Sequence, residues 1–149
     1  MLKLGRLLRD ARGVSAVEFA LMAPIVLAVV AELANFSVRI VMTREVNSAA
    51  EAGAHYASKS GYDAGAISNV INGYTSTLPI SASPSPQLVC GCPGSGASLS
   101  TVTCGSTCSD GSSAGQYVVA SATMNFSDRF AIYPTGPSQI KAASWVRVK

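Results

Sequence analysis

The sequence predicts an α+β protein in which one long amino-terminal helix packs against a small antiparallel β-sheet. An apolar stretch near the amino terminus continues into an amphipathic segment that contains no proline. The carboxy-terminal third contains two segments in which apolar and polar residues alternate, as in half-buried strands. Between these regions the chain is rich in glycine, serine and cysteine, which is typical of a stapled surface loop.

The apolar stretch, residues 14–31, is long enough to cross a membrane. At about 1.5 Å per residue its eighteen residues cover about 27 Å, close to the hydrocarbon thickness of a bilayer. Pro24 is expected to bend this part of the helix because it removes one backbone hydrogen bond and clashes with the preceding turn. Glu18 is the one acid inside the stretch, and a carboxylate at the centre of a bilayer costs about 2.5–3.5 kcal/mol. Glu18 therefore needs a partner or a function.

The helical pattern continues through residues 32–57. Apolar residues recur there at three- and four-residue intervals, and the opposite face carries most of the charged residues. We therefore expect one helix from about Val14 to about Lys59, with its stripe at residues 42–57 packed on the sheet. The stripe contains Met42, Val46, Ala49, Gly53 and Tyr56, and Leu33, Phe36 and Ile40 precede it on the helix.

The surplus positive charge lies before the apolar stretch. The chain has a formal charge of +3, and residues 1–13 hold four basic residues against one acid, so the remainder is neutral. The positive-inside rule then places the amino terminus in the cytoplasm and the head outside it. A neutral head offers no basic patch for nucleic acid, so we expect no nucleic-acid partner.

The rest of the chain predicts a second helix and a few strands. Asp63 is a good N-cap for a helix over residues 64–74, and residues 79–86 and 127–137 are expected to be loops or turns. The expected strands are residues 88–92, 99–104, 116–126 and 138–148, with the last two paired antiparallel. The predicted organisation is a basic leader (1–13), a helix (14–59) with its membrane segment at about 14–36, and a head (60–149) with a cysteine-rich loop at about 88–115.

Four cysteines, Cys90, Cys92, Cys104 and Cys108, fall on the exported side of this topology. An even count in an exported domain predicts two disulfides, whereas the C-x-C and C-x3-C spacings differ from zinc knuckles. A bond between Cys90 and Cys92 is disfavoured because alternate residues of a strand point to one face. Pairing of Cys90 with Cys104 and Cys92 with Cys108, and the crossed alternative, both remain open.

The sequence contains no recognisable catalytic or cofactor-binding motif. His55 is the one histidine, so the chain offers little from which to build a catalytic triad, and it has no second ligand at metal spacing. No phosphate-binding glycine pattern occurs. We therefore expect a protein that is not an enzyme and that uses no cofactor and no metal.

The residues around Gly13 support a processing hypothesis. Cleavage after Gly13 by a cytoplasmic membrane peptidase would expose the amino group of Val14, four residues before Glu18. Amine and carboxylate are complementary charges, which can pair within one chain or between neighbouring helices of a bundle. Three alternatives remain: Glu18 only snorkels to the cytoplasmic interface, a Sec-secreted, disulfide-stapled binding protein is cut near Ala31, or an uncleaved single-pass anchor displays a ligand-binding head.

The stretch GVSAVEFALMAP at residues 13–24, followed by Glu32 and by NSAAEAGA at residues 47–54, resembles the TadE-like family. These proteins are minor pilins or pseudopilins of the tight-adherence (Tad/Flp) type IV pilus system. The resemblance is close over residues 12–57 and looser in the last strand pair, which ends in ASWVRV at residues 143–148.

The resemblance implies a pilin-like fold and a non-enzymatic role in pilus assembly. It implies cleavage between Gly13 and Val14 by a prepilin peptidase, with Glu18 and Phe19 serving peptidase recognition and assembly. The implied partners are the inner membrane, the prepilin peptidase, other pilin or pseudopilin subunits and the assembly machinery. The head would then lie in the periplasm or at the cell surface.

Overall fold

The computed structural model describes residues 11–94, 98–127 and 138–149, and for residues 11–14 it describes the backbone alone. Within these ranges it contains two helices and five strands, and it confirms the predicted α+β fold. The elements are α1 (Ala11–Ser60), α2 (Ala64–Asn72), β1 (Ser81–Ala82), β2 (Gln87–Pro93), β3 (Leu99–Thr101), β4 (Gly115–Asn125) and β5 (Gln139–Arg147). The described chain divides into two units, one ending at Val38 and the other beginning at Arg39.

The second unit is built on a five-stranded antiparallel sheet around β4. On one side β4 pairs with β5 over nine consecutive residues, from Tyr117 opposite Arg147 to Asn125 opposite Gln139. On the other side it pairs with β2 along its first half and with β1 near its end, and β3 extends the sheet beyond β2. The predicted antiparallel pairing of the last two strands is confirmed.

The carboxy-terminal half of α1 packs on one face of this sheet through small side chains. Ala49 and Ala57 are fully buried, and Gly53 lies so close to α2 that a Cβ atom there would stand 2.7 Å from Cγ1 of Ile71. Small residues let the helix backbone approach β4, so alanines and one glycine form much of the core. The buried core residues are Val46, Ala49, Ala50, Ala54, Ala57, Ile67, Ile71, Ile80, Val118, Ala120, Ala122, Met124 and Ile140.

The short helix α2 closes the other side of this core. Asp63 caps it, and the carboxylate accepts a hydrogen bond of 3.0 Å from the backbone N–H of Ala66. Ile67 and Ile71 are fully buried. At the other end, Oδ1 of Asn72 accepts a hydrogen bond of 2.8 Å from the backbone N–H of Ala82, which ties α2 to β1.

Several predicted boundaries need correction. The described part of the first helix already includes Ala11, so helical backbone precedes the expected start at about Val14, and α2 ends at Asn72 instead of about Tyr74. The expected loop at residues 79–86 contains the short strand β1, because β4 extends past the end of β2 and leaves part of its edge for Ser81–Ala82 to pair with. β3 ends at Thr101, since the chain then turns and the N–H of Ser106 bonds to the carbonyl of Thr103. Most of the turn expected at residues 127–137 lies outside the described residues.

Candidate functional site on the amino-terminal helix

The amino-terminal half of α1 exposes large apolar side chains around its circumference. Phe19 is 73% exposed, Leu21 69% and Leu27 67%, and Val29 and Val30 are each 55% exposed. Among the described residues one helix, Ser15–Ser60, is long and apolar enough to cross a membrane by length and composition. An apolar surface on all sides of a helix is typical of a segment that contacts lipid. The helix therefore suggests single-pass membrane anchoring.

The residues around the predicted processing position all lie in this helix. Gly13 and Val14 have helical backbone, and Glu18 and Phe19 follow within the next two turns. Four residues of helix place Glu18 about 6 Å along the axis from Val14. Glu18 and Phe19 are exposed and line a shallow groove with Ser15, Leu21 and Met22. The carboxylate is thus presented on the outside of α1, where a neighbouring helix could contact it.

Two hydroxyl groups further along α1 form hydrogen bonds with the helix itself. The Oγ of Ser37 donates a hydrogen bond of 2.8 Å to the carbonyl of Leu33, and Oγ1 of Thr43 donates one of 2.8 Å to the carbonyl of Arg39. Such bonds to the residue one turn earlier let a hydroxyl lie in apolar surroundings at little cost. The helix also continues through Pro24 without interruption.

The four cysteines lie in the second unit and form two disulfides. Cys90 pairs with Cys104 and Cys92 with Cys108, with Cα–Cα distances of 5.1 and 5.7 Å. This is one of the two pairings that the sequence left open. Both bridges join β2 to the excursion that follows it, because the first member of each pair lies in β2.

Asp110 lies in a turn just after Cys108, and hydrogen bonds within this turn lower the pKa of its carboxyl group. The side chain and backbone N–H of Ser112 donate hydrogen bonds to Asp110 and lower the pKa of that carboxyl. A lowered pKa means that these bonds stabilise the turn above the ordinary pKa of aspartate and lose that effect as the pH falls through the lowered value. Asp110 is exposed and its hydrogen bonds go to Ser112, so we assign it a role in stabilising this turn.

The described residues show no arrangement typical of an active site. No group of three or more histidine, cysteine, aspartate or glutamate side chains in the described ranges could hold a metal ion. His55 is exposed on α1. Trp145 packs edge-to-face on Tyr117 with 5.7 Å between ring centroids, and the guanidinium of Arg39 lies 5.4 Å from the ring centroid of Phe126.

Some of these contacts could not be found from sequence spacing. The Asn72–Ala82 hydrogen bond and the Arg39–Phe126 contact each join residues from different elements, so no local periodicity indicates them. The sequence contains a weak indication of the close packing of α1 against Ile71 at Gly53, since a glycine inside a helical pattern often marks close packing.

Comparison with known protein families supports the resemblance read from the sequence. Residues 13–55 match the family described as TadE-like protein. The matched segment begins at Gly13 and ends within the stripe that packs on the sheet, so it spans both halves of α1. Comparisons with curated proteins and with solved structures found no significant match. The TadE-like match and the apolar helix together fit a membrane-anchored structural protein associated with a Tad pilus.

Proposed function

We propose that this chain is made as a prepilin and acts as a minor pilin or pseudopilin in assembly of a Tad (Flp) pilus. The observation that carries the proposal is the TadE-like match starting at Gly13, on a helix whose first half exposes large apolar side chains. A prepilin peptidase of the inner membrane cleaves between Gly13 and Val14. The mature protein then begins with the apolar segment, and its head lies in the periplasm or at the cell surface.

Cleavage creates the partner that Glu18 needs. The new amino group of Val14 is cationic and lies one helical turn from Glu18, the fifth residue of the mature chain. Because Glu18 is on the exposed surface of α1, its carboxylate can also reach the amine of a neighbouring subunit. In hydrocarbon an unpaired charge is costly, so this ion pair fixes the register of one helix against the next.

The length of the head favours a minor component over the main filament subunit. The described residues after Ser60 form α2, the sheet and the disulfide-stapled excursion, which exceeds what a subunit with almost no head would carry. The stapled excursion presents a rigid surface in an oxidising compartment, which suits contact with other subunits or with the cell exterior.

The first experiment determines where the mature protein begins. The full chain is expressed in cells with and without the prepilin peptidase of a Tad system, and intact mass and amino-terminal sequence are measured. We expect a mature amino terminus at Val14 that appears only with the peptidase. An amino terminus at Glu32 would show secretion with signal-peptide cleavage near Ala31, and one at Met1 in both strains would show an uncleaved anchor. Either of these contradicts the proposal.

Matched variants separate the two cleavage positions. Gly13→Leu puts a bulky side chain at the proposed cut and should abolish processing, whereas Ala31→Leu should leave it unchanged. Glu18→Gln keeps the size of the side chain, so the processed protein should still reach the membrane but should no longer co-purify with other pilins. Glu32→Gln is its control and should co-purify as the unmodified chain does.

A further inference from the structure

β5 ends the sheet on one side, and its outer edge has no strand partner among the described residues. The strand is nine residues long, contains no proline and keeps continuous register with β4. Natural sheets shorten, bulge or cover most strand edges, because an open edge is a template for another strand. In the described part of the chain the edge of β5 is neither short nor bulged nor covered, and the device it does carry is charge, because Lys141 and Arg147 disfavour pairing with a strand that is itself basic.

The outward backbone groups of β5 can be assigned from its register. The N–H of Phe126 bonds to the carbonyl of Ser138, and the N–H of Val148 bonds to the carbonyl of Gln116. Bonded and non-bonded pairs alternate in an antiparallel ladder, so the even-numbered residues of β5 face β4. The odd-numbered residues direct both N–H and C=O groups outward, and these are Gln139, Lys141, Ala143, Trp145 and Arg147.

The side chains of those five residues share the sheet face opposite α1. Trp145 packs there on Tyr117, and Lys141 and Arg147 give the strand two positive charges with no acid within it. On the other face the core is incomplete at this edge: Ala142, Val146 and Val148 are only partly buried against it. An added strand would therefore gain backbone hydrogen bonds, cover apolar surface and meet a basic rim.

We propose that the β5 edge accepts an antiparallel strand from another protein, and that this strand carries acidic side chains opposite Lys141 and Arg147. Addition of a strand to an open sheet edge takes its affinity from the backbone and its specificity from the alternate side chains. If the nine residues of the partner strand are numbered from the one opposite Arg147, antiparallel pairing places position 7 opposite Lys141. The partner's acids therefore lie at positions 1 and 7. An apolar residue at position 3 faces Trp145.

A second copy of this chain does not fit as the partner. The described acids lie in α1, at the cap of α2 and in the loop before β4, so no described strand supplies an acidic segment. The proposed binding of a strand to β5 does not require cleavage of the chain after Gly13.

The test uses the full chain in detergent micelles and a capped nine-residue β-forming peptide with glutamate at positions 1 and 7 and valine at position 3. Trp145 is the one tryptophan in the chain, so its fluorescence reports binding at this face. We expect saturable binding that weakens about tenfold when both glutamates are replaced by glutamine, since two ion pairs are lost. Equal binding of the two peptides, or no binding of either, would overturn the proposal.

Variants of β5 separate backbone pairing from charge. Lys141→Glu combined with Arg147→Glu should abolish binding of the glutamate peptide and create binding of a matching lysine peptide. Ala143→Pro removes one outward N–H, which an edge strand tolerates, and should abolish binding, while Ala143→Thr keeps that N–H and should bind normally. Thermal unfolding checks that each variant is folded. If Ala143→Pro is unfolded, the variant with Lys141→Glu and Arg147→Glu provides the test. If that variant still prefers the glutamate peptide over the lysine peptide, the proposal is overturned.

Amide hydrogen exchange of the unliganded chain supplies an independent check. The outward N–H groups of Lys141, Ala143 and Trp145 should exchange at least a hundredfold faster than those of Ala142 and Ser144, and should become protected when the glutamate peptide is added. Equal protection of both sets before the peptide is added would show that the edge is already covered, which contradicts the proposal.

Discussion

Both halves of α1 carry apolar side chains, yet those of the first half are exposed and those of the second half form a core. In the first half Phe19 and Leu27 are 73% and 67% exposed, whereas Val46 and Ala57 in the second half are fully buried. The difference lies in side-chain size and distribution. Large residues surround the first half on every side, so a sheet on one face could not cover them, whereas a stripe of alanines and Gly53 admits β4 and α2 at short distance. One helix thus meets two different apolar environments.

The largest expected effect comes from charging the exposed half. Val26→Lys combined with Val30→Lys should remove the protein from the membrane fraction, because each central lysine costs about 2.5–3.5 kcal/mol of insertion free energy. The matched control charges the polar side of the second half, Asn47→Lys with Glu51→Lys, and should not change membrane association. Membrane fractionation and alkaline extraction measure both. Equal retention of the two variants would show that the first half is not the anchor.

A smaller effect is expected from truncating one valine in each half. Val46→Ala should lower the free energy of unfolding of the head by about 1–3 kcal/mol, because it removes two fully buried methyl groups and leaves a cavity. Val26→Ala removes the same atoms from a residue that is 57% exposed, and it should change the free energy of unfolding of the head by less than about 0.5 kcal/mol. Denaturant titration of the disulfide-bonded protein in detergent measures both, and similar losses would mean that the comparison between the halves is wrong.

Long elements with strong periodicity could be predicted from the sequence. The stripe through Val46 and Gly53 repeats at helical spacing, and the alternation in β4 and β5 separates a buried set from an outward set. The residues around Gly13 carried the family resemblance, because an acid inside an apolar segment behind a basic leader is an unusual combination.

Features that depend on tertiary pairing could not be predicted. β1 has two residues among serines and prolines, and it is a strand only because β4 leaves part of its edge open there. The disulfide pairing depends on how β3 returns beside β2, and alternation alone puts Cys90 and Cys92 on one face. The open edge of β5 likewise follows from strand order, which no local pattern contains.

The smallest expected effect concerns α2, whose Ile71 fills the space left by Gly53. Asp63→Ala removes the side-chain oxygen that accepts from the N–H of Ala66 and should lower the free energy of unfolding by about 0.5–2 kcal/mol. Asp63→Asn retains an oxygen acceptor and should cost less than half as much. Thermal unfolding of the two variants checks this. An equal loss in both would assign the effect to the charge of Asp63 and not to its cap.

The two disulfides separate a stapled module from the frame that β4 and β5 form in the head. Both bridges close within residues 90–108, and none of the nine residue pairs between β4 and β5 involves a cysteine. Mutations between the bridged cysteines therefore leave the pairing of β4 with β5 intact, except at Gly91, which pairs with Gly115 of β4 and has no space for a Cβ atom. A foreign epitope grafted into the part of this module beyond β2 would be displayed on an unchanged scaffold.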